Sequence, residues 1–354
     1  MKLLSSRLDG WLLNSPVSGR DLSGFRILYA LFVLLTIYRS DYAASVPQVA
    51  FDPPPGPFML LVSAPPLFAI WAIQAALCFA LAALAIGWHT KLAAVAAAVL
   101  QIVIYGIGYG YGKIDHTILL PLVPLLLSFS AWGSSFSVDA QRKSPNLVGH
   151  YWAPRSLAIA LGVAMLTSGL SKVLGGWLSW DSQATYGYAV IRAGALSAPL
   201  SGTATLLPTD SPVVWEFMDY ATVVLECSII FAALYWRAFY VAIASLGVFH
   251  IITLVVLGIL FPYNLLVYAA FIPWSKLDSL ISMSRIDRFS SVLASSTVLR
   301  TVTWVLLASS GLLVAWIRPI WFVPTIYTVA IVIGAGVGLG YLGTRAWRVR
   351  SLVT

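Results

Sequence analysis

The sequence predicts an all-α fold: a polytopic membrane bundle of about ten spans with no soluble domain. Three observations carry that expectation. Hydrophobic residues make up 60% of the 354 and charged residues 10%, with a mean hydropathy of +0.88, whereas a soluble domain is about 25% charged. Apolar runs of about 20 residues, the length that crosses a ~30 Å hydrocarbon core, recur along the whole chain. Basic residues gather in alternate connections between those runs, as the positive-inside rule requires.

Ten spans follow in order, with loose boundaries: 22–41, 66–86, 91–109, 115–132, 155–174, 213–234, 238–259, 261–275, 299–317 and 320–343. Residues 1–21 carry mixed charges and no small-residue cleavage site after an apolar core. They read as a cytoplasmic segment, with the first span acting as the insertion signal. The fourth span is short and holds Pro121 and Pro124, and the eighth follows Phe261-Pro262-Tyr263-Asn264 after almost no loop. Broken helices persist in a membrane only where protein or a polar cavity covers their loose backbone, so a cavity is expected there. Residues 276–298 form a cytoplasmic connector in which DSLISMSRIDRFSSVL can make a short amphipathic surface helix; no function is assigned to it. Residues 299–354 add two further spans and a short cytoplasmic tail.

With the N-terminus inside, all 21 basic residues but Arg39, Lys113, Lys172, Arg192 and Arg318 fall on the inner side. The expectation is an inner-membrane, multi-pass protein with both termini cytoplasmic. Its outer side then holds the PPPGPF loop, GYGYGKIDH and the connection 175–212. That connection contains Trp177, Trp180, Tyr186 and Tyr188, rings suited to the membrane interface. Nucleic acid is excluded as a partner, since the bases are scattered rather than clustered with aromatics. Cys78 and Cys227 lie in apolar runs with no CxxC pair, which indicates neither a disulfide scaffold nor a metal site.

Ionisable residues inside spans are costly and mark sites by default. Lys113, Asp115 and His116 stand at the outer end of span four, and Lys172 near the outer end of span five. Glu216, Asp219 and Glu226 lie on span six, and His250 on span seven. At 100° per residue, Asp219 and Glu226 fall within about 20° of one helix face, with Glu216 about 60° from Asp219. A lysine on span five facing that acidic edge would have its charge compensated; otherwise its amine must be neutral or snorkel to the headgroups. The plainer readings give Lys113 to a loop and Glu216 to solvent, and make His116 and His250 satisfied interior histidines.

These residues, in this order, resemble the membrane core of the vitamin K-dependent gamma-carboxylases, within the wider horizontally transferred transmembrane (HTTM) domain family. The resemblance runs through residues 22–275. It is carried by GFRILYAL, GWHTKL, KIDH, FSAWGSSFSVD, SGLSKVLGGWLSW, the acid at 226 and VFH of span seven. It implies that Lys172 is the catalytic base and that His116 joins it. In the carboxylases that amine deprotonates vitamin K hydroquinone. Reaction with oxygen then yields a base strong enough to take a gamma-proton from glutamate before carbon dioxide adds. The cofactor implied is a reduced, vitamin K-like quinone, with O2 and CO2 as co-substrates and no metal. His250 and Glu226 become quinol- or substrate-binding residues, and Asp115 beside His116 and Asp219 on the acidic stripe are expected to bind with them. Asp115 stands where the carboxylases have an amide, and the large lumenal domain of the eukaryotic enzymes is replaced by two spans.

A base near neutral pH must be unprotonated, and desolvation favours a neutral lysine; a dry pocket also protects reactive species from water. The first functional expectation is therefore quinol oxidation coupled to base chemistry or carboxylation of glutamate on an exported peptide, at a site toward the outer face. The alternative is a non-catalytic membrane scaffold or accessory factor for maturation or export of a secreted peptide. A transporter is disfavoured, because no inverted repeat shows in the hydropathy pattern. Membrane lipid and quinone are the other expected partners.

Overall fold

The computed structural model describes residues 10–37, 46–112, 114–142, 152–195, 211–277 and 283–350. Lys113 lies outside them. The helices are α1 (Gly19–Leu35), α2 (Leu67–Ile86), α3 (Thr90–Tyr109), α4 (Leu119–Leu127), α5 (Val138–Arg142), α6 (Trp152–Leu174) and α7 (Ala184–Ala195). They continue with α8 (Pro212–Ala232), α9 (Trp236–Leu257), α10 (Pro262–Ala269), α11 (Met283–Ser295), α12 (Thr297–Ile317) and α13 (Phe322–Arg350). Among the described residues, six helices are long and apolar enough to cross a membrane: α2, α3, α6, α9, α12 and α13. The protein is a multi-pass helical membrane protein.

Each of the other four expected spans contains a helix that falls short of that standard for a visible reason. α1 has 17 residues. α8 has 21 residues but holds Glu216, Asp219 and Glu226. α10 is eight residues long. α4 is a nine-residue helix interrupted at Pro124. Pro124 has no N–H to offer the carbonyl of Leu120 one turn earlier. The buried hydroxyl of Tyr29 lies 2.9 Å from that oxygen, and also 2.9 Å from Gln101 Oε1. A side chain of α1 thus covers the acceptor that proline leaves open, which hydrocarbon could not do.

The chain forms two compact units. Unit 1 comprises residues 1–157 and 266–323. At one end of it, the fully buried Arg26 of α1 donates to the carbonyls of Trp132 at 3.0 Å and Phe136 at 2.5 Å. Asp139 accepts from the backbone N–H groups of His89 at 3.0 Å and Thr90 at 2.7 Å, and from the Thr90 hydroxyl at 2.8 Å. It therefore satisfies the unpaired donors at the start of α3. Asp21 closes a capping box with Ser18 and accepts from Ser275 N at 2.7 Å, tying the start of α1 to the chain after α10. Beside this knot, Leu293 of α11 packs on Ile86 and Val138, with Trp88 and Trp304 against them.

At the other end of unit 1, the loop after α1 folds over α3. A Cβ on Gly106 would fall 2.0 Å from the ring of Phe58, so glycine there makes the notch that receives the loop. Unit 2 comprises residues 158–265 and 324–354. Its α13 joins the rest through the paired hydroxyls of Tyr263 and Tyr327 and the rings of Tyr240 and Tyr341. The two C-terminal spans thus divide between the units: α12 packs on α1 and α2 in unit 1, and α13 belongs to unit 2.

Candidate functional site

The site begins where α6 and α8 come into contact in unit 2. A Cβ on Gly162 would lie 2.8 Å from Ile230 Cα, and one on Gly169 would lie 2.5 Å from Cys227 Sγ. Two glycines seven residues apart, on one face of α6, let the backbones meet as small residues do between membrane helices. One turn beyond that contact, Lys172 Nζ lies 2.6 Å from Glu226 Oε2, 2.9 Å from Oε1 and 2.8 Å from Ser168 Oγ. An ammonium has three donors, and three acceptors meet it. The Lys172 side chain retains 20% of its exposure and Glu226 only 9%.

The residues after the lysine complete the arrangement. α6 stops at Leu174. Gly176 then takes a left-handed φ of 82° and donates to Val173 O, while Trp177 N donates to Lys172 O at 3.1 Å. This is the Schellman ending of a helix, in which the residue after the glycine folds back over the last turn. Here that residue is Trp177, whose ring lies 5.4 Å from Lys172 Nζ. The Lys-x-x-Gly-Gly-Trp pattern therefore brings a cation and an aromatic face together through backbone hydrogen bonds. The amine that looked stranded in sequence has a carboxylate, a hydroxyl and an indole around it.

The other acids of α8 have a different task. Asp219, fully buried, accepts from Ala184 N at 2.7 Å, from Thr185 N at 2.9 Å and from the Thr185 hydroxyl. Glu216 is 1% exposed and accepts from Gln183 N at 2.9 Å. Both carboxylates thus sit on the N-terminus of α7, whose free N–H groups and dipole favour negative charge. Two readings of the sequence change. Glu216 is buried rather than solvated, because a helix start covers it. Asp219, expected to bind quinol or substrate, directs both oxygens to the backbone and side chain of α7. Rings reinforce the join: Tyr186 packs on Trp215 at 5.2 Å, and Trp177 on Tyr188 at 5.9 Å.

His250 of α9 is 2% exposed, with its ring 5.1 Å from that of Phe261. Asp115 and His116 belong to unit 1. Asp115 Oδ1 accepts from Thr117 N at 2.8 Å and so caps the 3-10 turn His116–Ile118 that leads into α4. His116 is half-buried in that turn. The structure therefore joins Lys172 directly to Glu226. It sets Asp219 and Glu216 on α7, holds His250 among rings on α9, and gives Asp115 a capping role.

Sequence reasoning overlooked Ser168 and assigned Trp177 to the membrane interface. The signal for Ser168 was its spacing, one helical turn before Lys172. The signal for Trp177 was the preceding glycine pair. Arg26 and Asp139 stand in the motifs GFRILYAL and FSAWGSSFSVD, and they tie unit 1 together, Arg26 fully buried and Asp139 half-buried.

No curated protein and no solved structure matches the chain. The family model for the HTTM domain matches residues 14–274, most of the chain and all of the Lys172–Glu226 site. The motif residues that suggested this family lie within the match, and the chain belongs to the HTTM-domain family.

Proposed function

We propose that the protein is a gamma-carboxylase-like enzyme that couples oxidation of a membrane quinol to base chemistry on glutamate of an exported peptide. One observation carries this reading: a lysine in an apolar helix whose amine is met by a carboxylate, a hydroxyl and an indole face. The residues suit a hydroquinone, which brings a planar ring and a hydroxyl proton; Trp177 offers the flat surface, and Lys172 with Glu226 offers the proton acceptor. When bound, the quinol supplies the electrons that oxygen takes and hence the driving force.

The chain's own part is proton handling and exclusion of water. Lys172 would pass a proton to Glu226 Oε2, 2.6 Å away, and its neutral amine would then be the acceptor for the hydroxyl proton of a bound quinol. Ser168 keeps Nζ aimed while that exchange occurs. The buried carboxylate keeps the proton within the pair instead of releasing it to solvent. His250 and His116 are the remaining candidates to hydrogen-bond quinol or peptide, and the site opens toward the outer face in the orientation that loop charge indicates.

The test is mass spectrometry of secreted peptides from cells with and without the protein. Glutamate residues heavier by one carbon dioxide, dependent on the protein and on Lys172, support the reading; their absence under quinol-reducing conditions overturns it. The saturation of Lys172 also favours a second reading, a non-catalytic scaffold in which the ion pair only locks α6 to α8. That reading predicts that replacing both partners with apolar residues leaves peptide maturation and export intact.

A further inference from the structure

We propose that α11 is an interfacial helix that docks on anionic phospholipid of the bilayer holding the protein. Its two faces have separate tasks. Leu293 and Ser290 are buried at 1% and 4%, and Leu293 packs on Ile86 and Val138. The opposite face presents Arg285, Arg288, Phe289 and Val292, spaced as i, i+3, i+4 and i+7, one stripe of a helix. All four are exposed, Phe289 by 51% and Val292 by 46%. A phenylalanine and a valine side by side on an otherwise cationic stripe suit the boundary between headgroups and acyl chains.

Position and charge identify the occupant. Ser296, directly after α11, caps α12 by accepting from Leu299 N. Val298, Leu299 and Val302 of α12 are exposed and continue the apolar surface of a spanning helix. α11 therefore lies where a span leaves the hydrocarbon. The outward stripe carries no acid, because the carboxylate of Asp287 turns inward to Phe136 N at 3.3 Å. Arg142 adds a third exposed cation from α5, against which α11 packs. Guanidinium groups pair well with phosphate oxygens, and this end of unit 1 is the one that loop charge assigns to the cytoplasm, where anionic lipid attracts basic segments.

The experiment uses the full chain in neutral detergent. Thermal unfolding is followed with phosphatidylglycerol, phosphatidylcholine or inorganic phosphate added at equal amounts. Phosphatidylglycerol should raise the melting temperature of the wild type, while phosphatidylcholine and phosphate should not. R285Q/R288Q should lose most of that rise, and phosphatidylglycerol retained in native mass spectrometry should fall by about fivefold per arginine. R285K/R288K should keep the rise, and high salt should abolish it in the wild type. A wild type indifferent to phosphatidylglycerol, or equally stabilised by free phosphate, overturns the proposal. So does a rise that survives high salt or persists undiminished in R285Q/R288Q.

Discussion

Lys172 Nζ lies within 2.9 Å of both carboxylate oxygens of Glu226, across the contact between α6 and α8. The pair compensates two charges that neither helix could carry alone in hydrocarbon. Glu226→Leu should therefore cost more than Glu226→Gln. Leucine leaves the ammonium without its carboxylate, whereas glutamine still offers an acceptor of similar shape. Loss of a hydrogen bond to a charged group amounts to about 1.5–3 kcal/mol. Thermal unfolding of the purified protein should rank wild type above Glu226→Gln above Glu226→Leu; equal melting temperatures would show that the pair contributes nothing.

The pair depends on how closely the helices approach. Gly169→Val should push α6 from Cys227 and Glu226, because even the first added carbon would sit 2.5 Å from Cys227 Sγ and 3.3 Å from Glu226 Cβ. Overpacking of this kind costs about 1–3 kcal/mol. Cys227→Ala removes the nearest atom, so the double variant should recover part of the loss. Strict additivity of the two changes in a double-mutant cycle would show that the helices do not meet through this contact.

Six of the ten expected spans and the acidic stripe of α8 were legible, because apolar length and a period of 3.6 residues are local properties of the chain. The partners were only half legible. Periodicity could place Asp219 and Glu226 on one face, but which acid a lysine on another helix would meet depends on where α6 and α8 touch. Gly162 and Gly169 set that contact, and a glycine in a span reads as bland until its neighbour is known. The roles of Asp219 and Glu216 were hidden for a related reason: their partner is the backbone of α7, and N–H groups carry no sequence letter. Trp177 was the exception that local reading could have caught, since a Gly-Gly pair ending an apolar helix signals a Schellman turn.

The bond between Tyr29 and Leu120 gives a prediction about the fold. Tyr29→Phe removes the donor that covers the Leu120 carbonyl opposite Pro124, leaving a buried acceptor unsatisfied at about 1–3 kcal/mol. Pro124→Ala supplies an N–H to that same oxygen. The double variant should be more stable than Tyr29→Phe alone, measured by unfolding in detergent. A destabilisation that Pro124→Ala does not relieve would assign the effect of Tyr29 to Gln101 instead.

The capping acid Asp139 allows a similar test elsewhere in unit 1. Asp139→Ala removes three hydrogen bonds to His89 and Thr90, and loss of a helix cap costs about 0.5–2 kcal/mol. Hydrogen exchange should accelerate at the first turn of α3 while the far end of that helix is unchanged. Uniform acceleration along α3 would mean that Asp139 holds the whole unit and not the cap.

The last prediction separates chemistry from architecture at Lys172. Lys172→Met alone leaves Glu226 buried without its cation, so a loss of activity in that variant could reflect a loosened helix contact. Lys172→Met/Glu226→Gln removes both charges while keeping side chains of similar length and, at position 226, a neutral hydrogen-bonding group. If the pair is only a lock, this neutral version should insert, fold and support peptide maturation as the wild type does, because a well-packed neutral contact often replaces a buried ion pair without loss. If Lys172 is the base, the double variant should fold equally well and yet form no carboxylated glutamate, since no amine remains to take the quinol proton. Glu226→Gln alone should then retain turnover at a reduced rate, with the amine present but its nearby proton store gone. Carboxylation that survives in the double variant would place the base elsewhere, and the unfolding curves measured alongside would show that the protein being tested was intact.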